Sequence, residues 1–109
     1  MQKHKMYIGG EWVEAAGGEW FESLNPYTGK PWALVPRGGA EDVDLAVEVA
    51  HRAFTGGDWP ALTATQRGAL LRKLGDLLAE NAEHLGQTET QDNGKLIAEM
   101  GAQTAYIPQ

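Results

Sequence analysis

The sequence has 109 residues, of which 42% are hydrophobic and 22% charged, a balance typical of a soluble globular chain. Its net charge of −6 argues against nucleic acid or an anionic membrane as a partner, because both carry negative charge. It contains no cysteine, which excludes a disulfide, a thiolate metal site and a cysteine nucleophile within these residues. The basic start is not followed by an apolar run. We therefore expect no secretory signal, no membrane span and a cytoplasmic location.

Residues 1–37 are predicted to form two short antiparallel β-hairpins. The pair Gly9-Gly10 separates two short apolar stretches and can adopt the positive φ angles that a tight hairpin turn needs. Residues 25–30 separate the next two stretches. They are predicted to form a turn, because Pro26 pre-sets its φ angle and Gly29 supplies a permissive backbone near the end.

Residues 38–109 are predicted to form three to four helices. The first apolar stripe has helical spacing and ends at Gly56-Gly57; its members are Val43, Ala46, Val47, Ala50 and Phe54. We expect this helix to be packed on more than one side, because Leu45 and Val49 widen its apolar face.

The next helix has the sharper start signal. Thr63 and Gln66 have the spacing of a capping box, in which each side chain binds the other residue's backbone amide. An apolar stripe follows, formed by Leu70, Leu71, Leu74, Leu77 and Leu78. Asn81 is interpreted as the cap of a further helical stretch, residues 91–94 as a turn, and residues 96–107 as a last, weaker helix.

Little in the residues indicates chemistry. The three histidines lack metal-ligand spacing, and we expect His51 on the surface. The acidic pairs Glu41/Asp42 and Glu80/Glu83 are interpreted as solvated helix ends or polar faces. No G-x-G-x-x-G or Walker sequence occurs. The residues alone therefore predict an α+β segment with no catalytic and no cofactor-binding residues.

An ordered series of short segments resembles the opening of NAD(P)-dependent aldehyde dehydrogenases. The series covers nearly the whole chain, at 7–13, 21–29, 41–47, 50–54, 59, 63–67 and 89–95. One position departs from a common family form, since Leu96 stands where many members have proline. We interpret this as variation within the family.

The resemblance implies a larger α/β fold with a Rossmann-like coenzyme domain, a catalytic domain and an oligomerisation arm. Residues 1–109 would be the N-terminal part of the coenzyme-binding side, with the catalytic and oligomerisation parts absent. The parent enzyme would oxidise an aldehyde to a carboxylic acid with NAD or NADP and form a homo-oligomer. Its cysteine nucleophile, glutamate base and oxyanion-binding asparagine would all follow Gln109. No cofactor is expected for the segment alone.

The resemblance also implies a structural monovalent cation, held by the backbone carbonyl of Leu24 and the carboxylate of Asp92. Hard cations prefer oxygen ligands, which suits these two groups. The alternative is that Asp92 only stabilises its own turn by binding nearby backbone amides.

A different class of function stays open. The chain could be a non-catalytic helical interaction or oligomerisation module derived from the same family. Its last residues, 102–109, show neither a glycine stop nor a polar tail, so we expect a fragment of the enzyme. The aldehyde that the enzyme would oxidise is not encoded in these residues.

Overall fold

The computed structural model describes residues 1–108, which form five short strands and five helices. The strands are β1 (Gln2–Lys3), β2 (Met6–Ile8), β3 (Glu11–Val13), β4 (Trp20–Asn25) and β5 (Lys30–Pro36). The helices are α1 (Ala40–Gly56), α2 (Asp58–Ala61), α3 (Ala64–Glu80), α4 (Ala82–Asn93) and α5 (Ile97–Tyr106). The α+β class predicted from the sequence is confirmed. No helix in the described part of the chain has the length and apolar character needed to cross a membrane.

Both predicted hairpins are present. β2 and β3 pair antiparallel, and Gly9 and Gly10 turn between them with φ angles of +65° and +88°. β4 and β5 are neighbours in a second sheet and are joined by residues 26–29, a link too short for a parallel crossover. The sequence did not predict β1, which pairs parallel with β5 at Ala33 and Leu34. Its two residues are exposed and polar, so no apolar pattern indicates a strand there.

The chain divides into two compact units. The first contains residues 1–23 and 31–61, and the second contains residues 24–30 and 62–109. In the first unit Ala15 and Ala33 are buried, and the turn at Gly9 lies on α1. A Cβ atom at Gly9 would lie 3.1 Å from Val49 Cγ1, so the close approach of hairpin and helix depends on glycine.

Asp42 corrects one sequence interpretation, because it is not a solvated residue. Its side chain is only 7% exposed, and its two carboxylate oxygens accept hydrogen bonds from two backbone amides. Oδ1 accepts from Ala16 N at 2.9 Å, and Oδ2 accepts from Gly39 N at 2.8 Å. The Gly39 bond caps α1, and the Ala16 bond ties the helix start to the β3–β4 connection. These bonds, that of Gly39 first, lower the pKa of Asp42, and partial desolvation opposes them.

In the second unit α5 packs against α4 around a buried methionine. Met100 is fully buried and Thr104 nearly so. The two helices approach at Gly86, where a Cβ atom would lie 3.3 Å from Thr104 Oγ1. The Thr104 hydroxyl donates to Met100 O at 2.7 Å, which satisfies it inside the interface.

Helix α3 begins as predicted. Thr63 Oγ1 accepts from Gln66 N at 3.2 Å, and Gln66 Oε1 accepts from Thr63 N at 2.8 Å, which confirms the capping box. Asn81 is the N-cap residue of α4, as predicted, although its side chain makes no cap bond to that helix and donates to Leu77 O of α3. One predicted detail near α4 is wrong. The predicted turn at residues 91–94 is the last turn of α4, which ends at Asn93.

The leucine stripe of α3 is not buried within the described chain. Leu70, Leu71, Leu74 and Leu77 are between 48% and 60% exposed. The apolar face of α1 is similarly open, with Val47 and Phe54 at 63% and 74% exposed. Both helices therefore carry exposed apolar surface of the kind that marks interaction sites.

We predict that Asp42→Asn lowers the free energy of unfolding at neutral pH, because an amide nitrogen cannot accept a hydrogen bond from one of the two backbone amides. The folded-state pKa lies below the ordinary aspartate value. The stabilisation by the carboxylate is therefore complete above pH of about 4 and is lost as pH falls through the lowered pKa. Denaturation between pH 2 and 7, in rough steps of one unit, measures this.

The matched control for this substitution is Asp44→Asn, an exposed aspartate on the same helix. We expect that variant to keep the wild-type stability and the wild-type loss of stability in acid. The role assigned to Asp42 is contradicted if both variants lose the same stability at neutral pH, or if the Asp42→Asn deficit does not shrink as pH falls below about 4.

Candidate functional site

The second unit contains an open cavity lined by sequence neighbours of the two residues implicated by the resemblance. Its volume is about 480 Å³. It lies where the β4–β5 turn meets the end of α4 and the start of α5. Its lining consists of Asn25, Tyr27, Gln87, Thr90, Gln91, Gly94, Lys95, Leu96 and Ile97. The lining combines side-chain amides with an apolar floor.

The β4–β5 turn is held by its own first residue. Asn25 Oδ1 accepts hydrogen bonds from Tyr27 N at 2.9 Å and Thr28 N at 3.4 Å. Asn25 O accepts from Gly29 N at 2.8 Å, and Gly29 has a φ of +65°. This Asx-type turn leaves Tyr27 at 94% exposure at the tip, beside the cavity.

The end of α4 forms the opposite wall. Gly94 lies at the helix C-terminus with a φ of +76°, the left-handed conformation that commonly ends helices, and its amide donates to Thr90 O at 2.9 Å. A Cβ atom on Gly94 would lie 2.8 Å from Pro26 Cγ. The glycine therefore allows the helix end to approach the β4–β5 turn.

Two polar side chains that line the cavity have hydrogen-bond or ion-pair partners, whereas one buried hydroxyl has none among the described residues. Lys95 Nζ forms an ion pair with Glu89 Oε1 at 3.5 Å, with both side chains about half exposed. Gln87 Nε2 donates to Glu83 Oε1 at 3.2 Å. Thr90 Oγ1 is buried and has no hydrogen-bond partner within the described residues. A buried hydroxyl of this kind is usually satisfied by water or by another part of the protein.

The predicted cation ligands belong to the same compact unit. Leu24 is the penultimate residue of β4, and Asp92 lies in the last turn of α4. Their immediate neighbours Asn25 and Gln91 both line the cavity. Sequence reasoning did not identify the cavity, because its lining comes from a turn and two helices whose packing leaves no local pattern.

The histidines lie apart from this cavity. The His4 ring contacts the Trp32 ring, with centroids 5.9 Å apart, whereas His51 and His84 are exposed on helices. The exposure predicted for His51 is confirmed. Over residues 1–108, no group of three or more histidine, cysteine, aspartate or glutamate side chains is arranged to hold a metal ion.

Comparison with known proteins identifies the fold. The profile of the aldehyde dehydrogenase family matches residues 12–108. The chain belongs to this family. Among similar proteins, acetaldehyde dehydrogenase 2 of Cupriavidus necator is 44% identical over 101 residues, covering 93% of the chain and 20% of that enzyme. A (Z)-2-((N-methylformamido)methylene)-5-hydroxybutyrolactone dehydrogenase of Acinetobacter baylyi is 43% identical over 107 residues, covering 98% and 22%.

Solved aldehyde dehydrogenases have the same backbone arrangement. An NAD-dependent aldehyde dehydrogenase from Sinorhizobium meliloti matches with a TM-score of 0.94 at 30% identity, over 98% of the chain and 22% of that structure. Betaine aldehyde dehydrogenase from Staphylococcus aureus in complex with NAD+ matches with a TM-score of 0.92 at 37% identity, over 96% and 21%. The chain thus spans about a fifth of the length of its aldehyde dehydrogenase relatives.

We predict that Gly94→Ala lowers the free energy of unfolding by about 2 kcal/mol, because alanine resists a positive φ and its Cβ would press on Pro26. The matched control is Gly68→Ala in α3, where a Cβ atom meets nothing within 4 Å. In a helix interior that change should stabilise the chain by up to about 1 kcal/mol. Urea denaturation of both variants measures the difference, and equal shifts would contradict the role given to Gly94.

Proposed function

We propose that the chain is the N-terminal part of an NAD-dependent aldehyde dehydrogenase that oxidises an aldehyde to a carboxylic acid. The observation that carries this proposal is the match over 98% of the chain to an NAD-dependent aldehyde dehydrogenase, with a TM-score of 0.94. Use of NADP instead of NAD remains part of the proposal, since these residues contain no dinucleotide fingerprint that would select between them.

The proposed contribution of this chain is structural. It has no thiol and therefore cannot supply a cysteine nucleophile. The chemistry that the coenzyme would supply to the proposed enzyme is acceptance of a hydride at its nicotinamide. No residue of this chain is assigned to that coenzyme or to the substrate. The open faces of α1 and α3 would instead pack against the remainder of the enzyme.

We also propose a cytoplasmic, homo-oligomeric enzyme. The absence of cysteine from these residues suits a reducing compartment. Any part of the apolar faces of α1 and α3 that the remainder of the enzyme leaves uncovered, for example at Leu71, Val47 or Phe54, would be available for subunit contacts. The same surface would also serve a non-catalytic interaction module, so activity is the measurement that separates the two functions.

A chimera tests the proposed function. The corresponding first fifth of the Cupriavidus necator acetaldehyde dehydrogenase is replaced by this chain, which is 44% identical to it. We expect the chimera to reduce NAD+ with acetaldehyde at a kcat/KM within about tenfold of the unmodified enzyme, a loss of about 1.4 kcal/mol at most. The chain alone should reduce none, because it lacks the thiol.

Sedimentation and circular dichroism serve as the controls for folding of the chimera. A chimera that assembles like the unmodified enzyme but does not oxidise acetaldehyde would favour the interaction module. NAD+ reduction by the chain alone would overturn the argument from the missing nucleophile.

For the second unit, we propose that Leu24 O and the Asp92 carboxylate hold a structural monovalent cation. Support comes from their place in one compact unit and from the shared cavity lined by their neighbours Asn25 and Gln91. A carbonyl at the end of a strand and a carboxylate at the end of a helix are both suitable oxygen ligands. Further ligands would come from the remainder of the enzyme.

Potassium dependence in the active chimera tests the cation. Replacing potassium by tetramethylammonium should lower the melting temperature by about 3 °C, because a bound ion stabilises only the folded state. Asp92→Ala should abolish this dependence, whereas the control Asp76→Ala, at an exposed position of α3, should retain it. Unchanged potassium dependence in Asp92→Ala would leave that residue without a ligand role.

A further inference from the structure

The end of α4 contains the dipeptide Asn93-Gly94, and its surroundings point to a chemical modification. The chain has three asparagines, at positions 25, 81 and 93, and only the last is followed by glycine. Both Asn93 and Gly94 are exposed. Because glycine has no Cβ, its backbone nitrogen can approach the preceding side chain with little steric hindrance.

We propose that Asn93 is a deamidation site whose reaction is gated by the last turn of α4. The backbone nitrogen of Gly94 attacks the side-chain carbonyl carbon of Asn93 and loses its proton. The bond between that carbon and the amide nitrogen breaks, and the nitrogen departs with the proton as ammonia. Water then opens the resulting five-membered succinimide at either carbonyl, which yields aspartate or isoaspartate at position 93.

In the folded structure, hydrogen bonds engage both the attacking nitrogen of Gly94 and the side chain of Asn93. The Gly94 amide donates to Thr90 O at 2.9 Å, so the nucleophilic nitrogen belongs to the helix end. The electrophilic side chain is held at both ends, because Asn93 Oδ1 accepts from Lys95 N at 2.8 Å and Nδ2 donates to Glu89 Oε1 at 3.3 Å. These bonds must open before the ring can close, so fraying of this turn sets the rate.

The product would disturb the joint between α4 and α5. A carboxylate at position 93 replaces a donor to Glu89 with a second negative charge, at a helix C-terminus where the macrodipole disfavours anions. Isoaspartate also adds a methylene to the backbone next to Gly94, the residue that closely approaches Pro26. Modification would therefore loosen the wall of the cavity formed by Gly94, Lys95 and Leu96.

Peptide mapping by mass spectrometry tests the site. The chain is incubated at mildly alkaline pH, folded and in urea, and conversion to acid is followed at each asparagine. We expect conversion at Asn93 to exceed that at Asn25 and Asn81 in both conditions. Conversion in urea should be about tenfold faster or more than in buffer, because urea removes the hydrogen bonds that hold the turn.

Matched variants test separately the reactivity of Asn93 and its protection by the last turn of α4. In urea, where the variant need not fold, Gly94→Ala should slow conversion at Asn93. In buffer, Glu89→Ala should speed conversion because the side chain of Asn93 loses the acceptor of its Nδ2 group, whereas Glu89→Gln, which retains an acceptor oxygen, should leave it close to wild type. An Asn93 no more reactive than Asn81 in urea would overturn the site. Equal rates in buffer and urea, or equal effects of the two Glu89 variants, would overturn the gate.

Discussion

The Asp42 carboxylate is the interaction on which the first unit depends. It joins the β3–β4 connection to the start of α1 through backbone amides 26 and 3 positions away. Without it, the Ala16 and Gly39 amides would lose their acceptor in a part of the chain that is partly closed to water, where unpaired donors are costly. Once the start of α1 is fixed, the helix can receive the Gly9 turn at Val49. The cap of α1 and the attachment of the β3–β4 connection to that helix therefore share one anionic side chain.

The second unit depends on close backbone approach instead of a buried charge. Gly86 allows α4 and α5 to meet around Met100, and Gly94 allows the end of α4 to meet Pro26. A Cβ atom would be crowded at Gly86 and would clash at Gly94, and Gly94 has a second consequence. The absent Cβ that permits the approach also leaves the preceding asparagine accessible to the backbone nitrogen. Gly94 thus both shapes the cavity wall and favours the deamidation proposed at Asn93.

Turns and helix caps, which depend on neighbouring residues, could be predicted from the sequence, whereas contacts between residues far apart in the chain could not. The Gly9-Gly10 turn and the Thr63–Gln66 capping box each depend on four or five consecutive residues, and both are present. The burial of Asp42 depends on Ala16, and no local pattern indicates that partner. The error at residues 91–94 has a different cause, since the local signal itself is ambiguous: Asn-Gly is typical both of a turn and of a helix end. Leu24 and Asp92 came from family resemblance alone, and the cavity beside them depends on helix packing.

The exposed leucine stripe of α3 connects the fold to the proposed function. The helix has a complete capping box and a regular apolar spacing, so its sequence specifies both a helix and a face to be buried. Yet Leu70, Leu71, Leu74 and Leu77 remain about half exposed. The signals that form a helix act within a few residues, whereas burial of its apolar face needs a partner surface. In α3 the helix has formed, but its apolar face is not buried. In the function proposed above, these faces dock onto the remainder of the enzyme. A chain that spans a fifth of the length of its relatives and retains their backbone arrangement carries the local information to form such faces without the surface that would cover them.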